Sequence, residues 1–95
     1  MHAVIRKYTA TPDVMAEARP KMAHLEQTLR QTPGFVAYYI MRVDGGAASI
    51  SVFQDQAGAD ESVRVAASWV AENLAALLPT PPEVLAGEVV LSTSG

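Results

Sequence analysis

The sequence predicts an α+β fold of the ferredoxin-like kind: a four-stranded antiparallel sheet with two helices on one face, in the order β-α-β-β-α-β. Three observations predict it. Residues 33–55, PGFVAYYIMRVDGGAASISVFQD, read as two alternating strands about a tight turn. Apolar residues at helical spacing mark one helix before this hairpin and one after it. Short β-rich runs near the two ends of the chain supply the remaining strands.

His2 to Tyr8 alternates as a strand does, with Ala3, Ile5 and Lys7 on one side and Val4, Arg6 and Tyr8 on the other. Thr9-Ala10-Thr11-Pro12-Asp13 then signals a helix start. Thr11 can cap the first turn, Pro12 suits the first helical position, and Asp13 favours the positive end of the helix dipole. Met15, Ala18, Met22, Leu25 and Leu29 form the apolar stripe, while Glu17, Lys21, His24, Glu26, Gln27 and Arg30 face elsewhere. Pro20 removes a backbone hydrogen bond inside this helix at a cost of about 3 kcal/mol, so a kink or a broken turn is expected near Ala16 to Arg19. Thr32-Pro33-Gly34 stops the helix.

In the hairpin, Asp44-Gly45-Gly46 supplies the positive-φ residues of a turn, and a short even-numbered loop pairs odd positions of the first strand with even positions of the second. One face then collects Phe35, Tyr39, Met41, Val43, Ile50 and Val52, and is expected to lie under the helices. The other collects Tyr38, Ile40, Arg42, Ser49, Ser51 and Phe53, which is too apolar for a solvated surface, and is expected to meet a partner.

Asp55 to Glu61 is small and acidic, as suits the capped start of a second helix. Val63, Ala66, Ala67, Val70, Leu74, Leu77 and Leu78 form its expected buried stripe, with Trp69 beside that stripe. Leu78-Pro79-Thr80-Pro81-Pro82 must leave helical geometry. A last strand is expected over Ala86 to Thr93, with Ser94-Gly95 frayed.

Ninety-five residues make one domain, spanning 1–95, and a chain this short buries only roughly 60 to 65 percent of its unfolded surface. Burial against a second copy would add to that. The seven basic residues are scattered and the net charge is −3, which argues against nucleic acid as a partner. The absence of cysteine removes disulfides and thiolate chemistry. No apolar run is long enough to span a bilayer, and the amino terminus lacks the order of a signal peptide, so no membrane partner is expected and a cytoplasmic location is.

The element order, the Pro33-Gly34-Phe35 lead into the hairpin, the Tyr38-Tyr39 pair and the segment Ser68-Trp69-Val70-Ala71-Glu72-Asn73-Leu74 together resemble the dimeric α+β barrel superfamily. Within it the chain is most similar to the antibiotic biosynthesis monooxygenase-like proteins. The resemblance covers nearly the whole chain. It implies a homodimer in which the two open sheet faces meet, with the Pro79 to Val84 crossover as an arm towards the partner, and a cleft in each subunit between sheet and helices. Such proteins include cofactor-independent oxygenases, haem-degrading enzymes and small isomerases, so the fold by itself does not choose an activity.

By position in that layout, Tyr39 and Trp69 are candidate lining, each joining an aromatic face to one polar atom. The plain alternative is that both fill the core. Arg6 and Asn73 complete a candidate pocket of Arg6, Tyr39, Trp69 and Asn73, able to hold an oxyanion or a phenolate. Their plain alternatives are a solvated edge for Arg6 and the dimer contact for Asn73. His24 faces solvent or acts as a base. The second helix has no histidine, the position from which haem-degrading relatives bind iron, so haem degradation is disfavoured. Asp55, Asp60 and Glu61 suit a helix start better than a metal site. The expectation is a small dimeric α+β barrel protein without cofactor or metal, acting as a cofactor-independent monooxygenase or related enzyme on a small aromatic or polyketide-like compound. The alternative is a non-catalytic homodimer that binds a small ligand or is structural.

Overall fold

A computed structural model describes residues 1–9, 12–74 and 81–93. The elements are β1 (His2–Thr9), α1 (Pro12–Arg30), β2 (Phe35–Val43), β3 (Gly46–Phe53), α2 (Gln56–Asn73) and β4 (Glu83–Glu88). The four strands form one antiparallel sheet in the order β2-β3-β1-β4, which is the expected ferredoxin-like arrangement. The expected Thr11 cap, the Leu77 and Leu78 end of the second stripe, the Pro79-Thr80 part of the crossover and Ser94-Gly95 lie outside the described residues.

The hairpin pairs as its parity demands. Val43 faces Gly46 across Asp44 and Gly45, and Gly45 takes the positive φ of 80° that the turn requires. Tyr39 then pairs with Ile50 and Tyr38 with Ser51. A bulge between Phe35 and Ala37 shifts the register, so Phe35 pairs with Phe53 and leaves the side of Tyr39. The two phenylalanine rings meet edge to face, with centroids 6.0 Å apart.

The helices cover the face opposite to the one expected. Phe53 and Val4 are fully buried against α2, with Phe35 beside them, and Tyr38 packs on the cluster of Ala18, Leu25, Leu29 and Trp69. Tyr39 and Met41 are exposed on the other face, at 62% and 50%. There, one row crosses all four strands through Tyr39, Ile50, Ile5 and Leu85. Thus Tyr39, Met41, Ile50 and Val52 do not lie under the helices, and Tyr38, Ile40, Ser51 and Phe53 do not form the open face. The reason is volume. The apolar stripes of the helices bring large side chains to the sheet, and β3 meets them with the small Ala47, Ser49 and Ser51.

Helix α1 runs unbroken through Pro20. Pro20 and Ala16, whose carbonyl loses its partner, both lie on the exposed side, where water can satisfy that carbonyl. The stripe of α2 is rotated from the expected one: Ala59, Ser62, Ala66 and Trp69 are buried and Ala67 is exposed. Ser62 reads as polar in sequence, but its hydroxyl donates to the Ala59 carbonyl at 2.7 Å and can therefore be buried. Asp55 caps α2 as expected, its Oδ1 accepting from the Gly58 N–H at 2.9 Å. The last strand runs from Glu83 to Glu88, not from Ala86 to Thr93 as expected, because it pairs with β1 from Lys7 to His2, and Val90 and Leu91 lie exposed beyond it. Beyond Glu88 one more bond forms, from the Val89 N–H to the Met1 carbonyl. Among the described residues, no helix is long and apolar enough to cross a membrane.

Candidate functional site

Small residues on β3 leave space between the sheet and the helices. Tyr8, Tyr38 and Ser49 form the floor of a cleft there, Met22 and Leu25 of α1 one wall, and Trp69 and Val70 of α2 the other. The cleft is partly open to solvent, and its cavity volume is about 40 Å3.

Trp69 is 5% exposed and turns its polar atom out of the cleft, its indole Nε1 donating to His24 Nδ1 at 3.1 Å. His24 therefore holds its proton on Nε2, and the two rings meet at 62°. His24 is exposed, as expected, yet has this specific partner. Asn73 braces the end of α2: its Nδ2 donates to the Trp69 carbonyl at 2.9 Å, and its own carbonyl accepts from Lys21 Nζ at 3.1 Å. A lysine at that carbonyl also complements the negative end of the helix dipole.

Arg6 is 3% exposed on the central strand β1, and its Nη2 donates to the Ser62 carbonyl at 3.1 Å. Burial lowers its pKa, and the neighbouring Tyr8 and Tyr38 phenols raise it in part. It remains a cation. Burial likewise pushes the Tyr8 phenol up, against the pull of Arg6. Burial lifts Tyr38 from 10.0 to about 12; charge repulsion with Tyr8 adds to the rise, and Ser49 and Arg6 moderate it. Ser49 is thus close enough to Tyr38 to affect its ionisation, yet the Ser49 Oγ meets no hydrogen-bond geometry.

Absorbance titration of tyrosinate is expected to show a component near pH 12 that Tyr38→Phe removes. The sign of the linked stability follows. Because the folded value lies above the ordinary 10.0, the stability from burying this phenol is complete below pH 10.0 and is lost as the pH rises through about 12. Tyrosines that all ionised together near pH 10.0 would show the Tyr38 phenol to be solvated.

Of the four residues expected to line a pocket, Trp69 alone does so. Arg6 is on the same side of the sheet but outside the lining, buried under α2 with its guanidinium on the Ser62 carbonyl. Asn73 is held on the Trp69 backbone, and Tyr39 stands on the opposite face of the sheet. The residues missed are Tyr8, Tyr38, Ser49 and Met22. A signal for them existed: Arg6 shares its strand side with Tyr8, and a pocket using Arg6 must use the hairpin side that its partner Ser49 occupies. Of the acidic segment, Asp55 caps α2 as a helix-start residue, whereas Asp60 and Glu61 lie beyond the first turn, and Glu61 pairs with Arg64. Among the described residues, no group of three potential metal ligands forms.

A ferredoxin-like α+β domain with an aromatic cleft between its sheet and its helices is the class of protein these elements define. Its fold is that of the antibiotic biosynthesis monooxygenase-like proteins. A protein of unknown function from Nitrosomonas europaea superposes with a TM-score of 0.79 at 21% identity, over 99% of this chain and 93% of that one. The heme-degrader MhuD of Mycobacterium tuberculosis, with two hemes bound in its active site, gives 0.75 at 18% identity, over 99% and 100%. A variant of SnoaB, a cofactor-independent oxygenase from Streptomyces nogalater, gives 0.74 at 19% identity, over 96% and 94%. No protein-family model and no curated protein matches the chain. At these identities the likeness is one of fold.

The residues of this chain do not fit histidine ligation of a haem. Helix α2 carries no histidine, and the Nδ1 of His24 on α1 is engaged by Trp69.

Proposed function

We propose that the chain binds a small planar aromatic or polyketide-like compound in the cleft and acts on it as a cofactor-independent monooxygenase. The observation that carries this is the cleft itself, open to solvent between the sheet and the helices, with the rings of Trp69 and Tyr38 on its lining. Met22, Leu25 and Val70 supply apolar contact. In this function the protein contributes orientation, exclusion of water and a field that favours the ionised ligand, without a covalent intermediate. The substrate supplies the electrons that reduce O2; one oxygen atom enters the product and the other leaves as water. The SnoaB-like fold supports this choice.

Oxygen uptake by the pure protein with a panel of dihydroxyaromatics tests it, and catalysed uptake is the expected result. Ligands that bind without catalysed uptake would instead make the chain a binding module.

We propose further that the chain is a homodimer joined through its open sheet face. The row of Tyr39, Ile50, Ile5 and Leu85 is apolar across the full width of the sheet. The chain exposes 6162 Å2, whereas about 5,300 Å2 is usual for a monomer of its mass. The excess is comparable with what each partner buries in an ordinary stable interface.

A further inference from the structure

Two polar ties join α1 to α2. The Trp69 indole Nε1 donates to His24 Nδ1 at 3.1 Å, and Lys21 Nζ donates to the Asn73 carbonyl at 3.1 Å. The first bears on the cleft, because Trp69 is one of its walls, with Met22 and Leu25 of α1 on the other side. The two partners differ in freedom. Trp69 is buried in the cluster of Ala18, Leu25, Leu29 and Leu74. His24 is exposed, and among the described residues its ring makes no other hydrogen bond.

An imidazole accepts at Nδ1 only while that nitrogen carries no proton, and once charged it is a donor at both nitrogens. Two donors then point at one another, and the bond is lost. A cation on His24 would also stand one turn from the Lys21 ammonium, and among the described residues no carboxylate lies within ion-pairing distance of it. The other titratable groups on the elements packed around the pair are Glu72, exposed one turn beyond Trp69, Tyr8 and Tyr38 on the cleft floor, and the exposed Arg42 on the Tyr38 side of β2; β3 brings none. Without its acceptor the Trp69 N–H is a donor in apolar surroundings, a cost that turning the ring towards water relieves. That turn takes the ring out of the wall.

We infer that His24 is a positioning residue for the cleft: its Nδ1 holds the Trp69 ring in the wall, and proton uptake by His24 releases the ring and weakens ligand binding. The inference rests on the cleft being the ligand site and adds to that reading a control by pH.

Trp69 is the sole tryptophan, so its emission reads the ring directly. Histidine changes charge between about pH 8 and about pH 5, and over that range the wild-type emission maximum is expected to shift to the red as acrylamide gains access to the ring. The position of the maximum is the reading, because a charged imidazole beside the ring dims it whether or not the bond breaks. His24→Asn keeps an acceptor at the place of Nδ1 without titrating, and should hold the alkaline emission throughout. His24→Leu has no acceptor and should show the acid emission throughout. Thermal melts check that both variants are folded. Calorimetric titration with 2-naphthol, which keeps its proton over this range, reads the ligand. The wild type is expected to bind it about fivefold more weakly at the acid end, equivalent to about 1 kcal/mol, whereas His24→Asn binds it alike at both ends. A maximum that does not move in the wild type, or moves equally in His24→Asn, would overturn the inference. So would equal wild-type affinity for 2-naphthol at both ends, which would leave the cleft as a ligand site. Failure of 2-naphthol to bind at the alkaline end would overturn the cleft reading and the inference with it.

Discussion

Ile50→Asp is expected to reduce the protein to a monomer at micromolar concentration while leaving each subunit folded. Ile50 lies between Tyr39 and Ile5 in the middle of the open face. In a monomer the new carboxylate would be hydrated and would cost little. In the proposed dimer it would be buried without a counter-charge, at a cost of about 3 to 5 kcal/mol, or roughly two to three and a half decades in the association constant. Light scattering or sedimentation reads the outcome. Ile40→Asp is the control, because Ile40 shares the helix side with its partner Ser49 and lines the cleft. It should leave assembly intact and weaken ligand binding. Dissociation by Ile40→Asp but not by Ile50→Asp would sink the proposed interface, and a monomeric wild type would remove the dimer altogether.

Gly58→Ala is expected to destabilise the fold by about 1 to 3 kcal/mol, against the direction that helix propensity gives. Alanine is favoured over glycine in a helix by about 1 kcal/mol, and Gly58 sits in the first turn of α2. Packing reverses the sign. A Cβ at this position would stand 2.6 Å from the Pro33 carbonyl oxygen and 3.3 Å from the Phe53 Cβ. Pro33 belongs to the α1–β2 junction, and the Gly58 N–H is already tied to Asp55, so the clash cannot be relieved by a side-chain rotation. The first turn of α2 would have to lift off the end of the hairpin. A thermal melt should show a fall of about 4 to 8 °C for each kcal/mol lost. A rise in melting temperature would contradict the close approach.

Most of the scaffold was legible in the sequence, and much less of the site. Val43, Asp44, Gly45 and Gly46 specify the hairpin pairing because a turn of that length allows one parity. Ala18, Leu25 and Leu29 specify the inner side of α1 because a helix fixes which residues share a side. Trp69 was recognised as a lining residue from the layout, yet placed beside the stripe of α2, because Ser62 hides its own satisfied hydroxyl from any count of apolar residues. Tyr39 was chosen where Tyr38 belongs, since two adjacent tyrosines differ in sequence only by the side of the strand they take. Arg6 was singled out for its charge, but its neighbours Tyr8, Tyr38 and Ser49 are set by the β1–β3 and β2–β3 registers.

The sequence by itself determined the order of elements, the parity of the hairpin, the Asp55 cap and the two sets of residues into which each strand divides. Each of these depends on contacts between residues near in the chain, and local geometry is enough to specify them. Only the tertiary structure decided which set the helices cover. Alternation gives two faces without saying which is inside, and the more apolar face was the wrong guide. Close packing made the choice: large residues on α1 and α2 fit over small ones on β3, which left the row of Tyr39, Ile50, Ile5 and Leu85 open and buried Arg6 under α2.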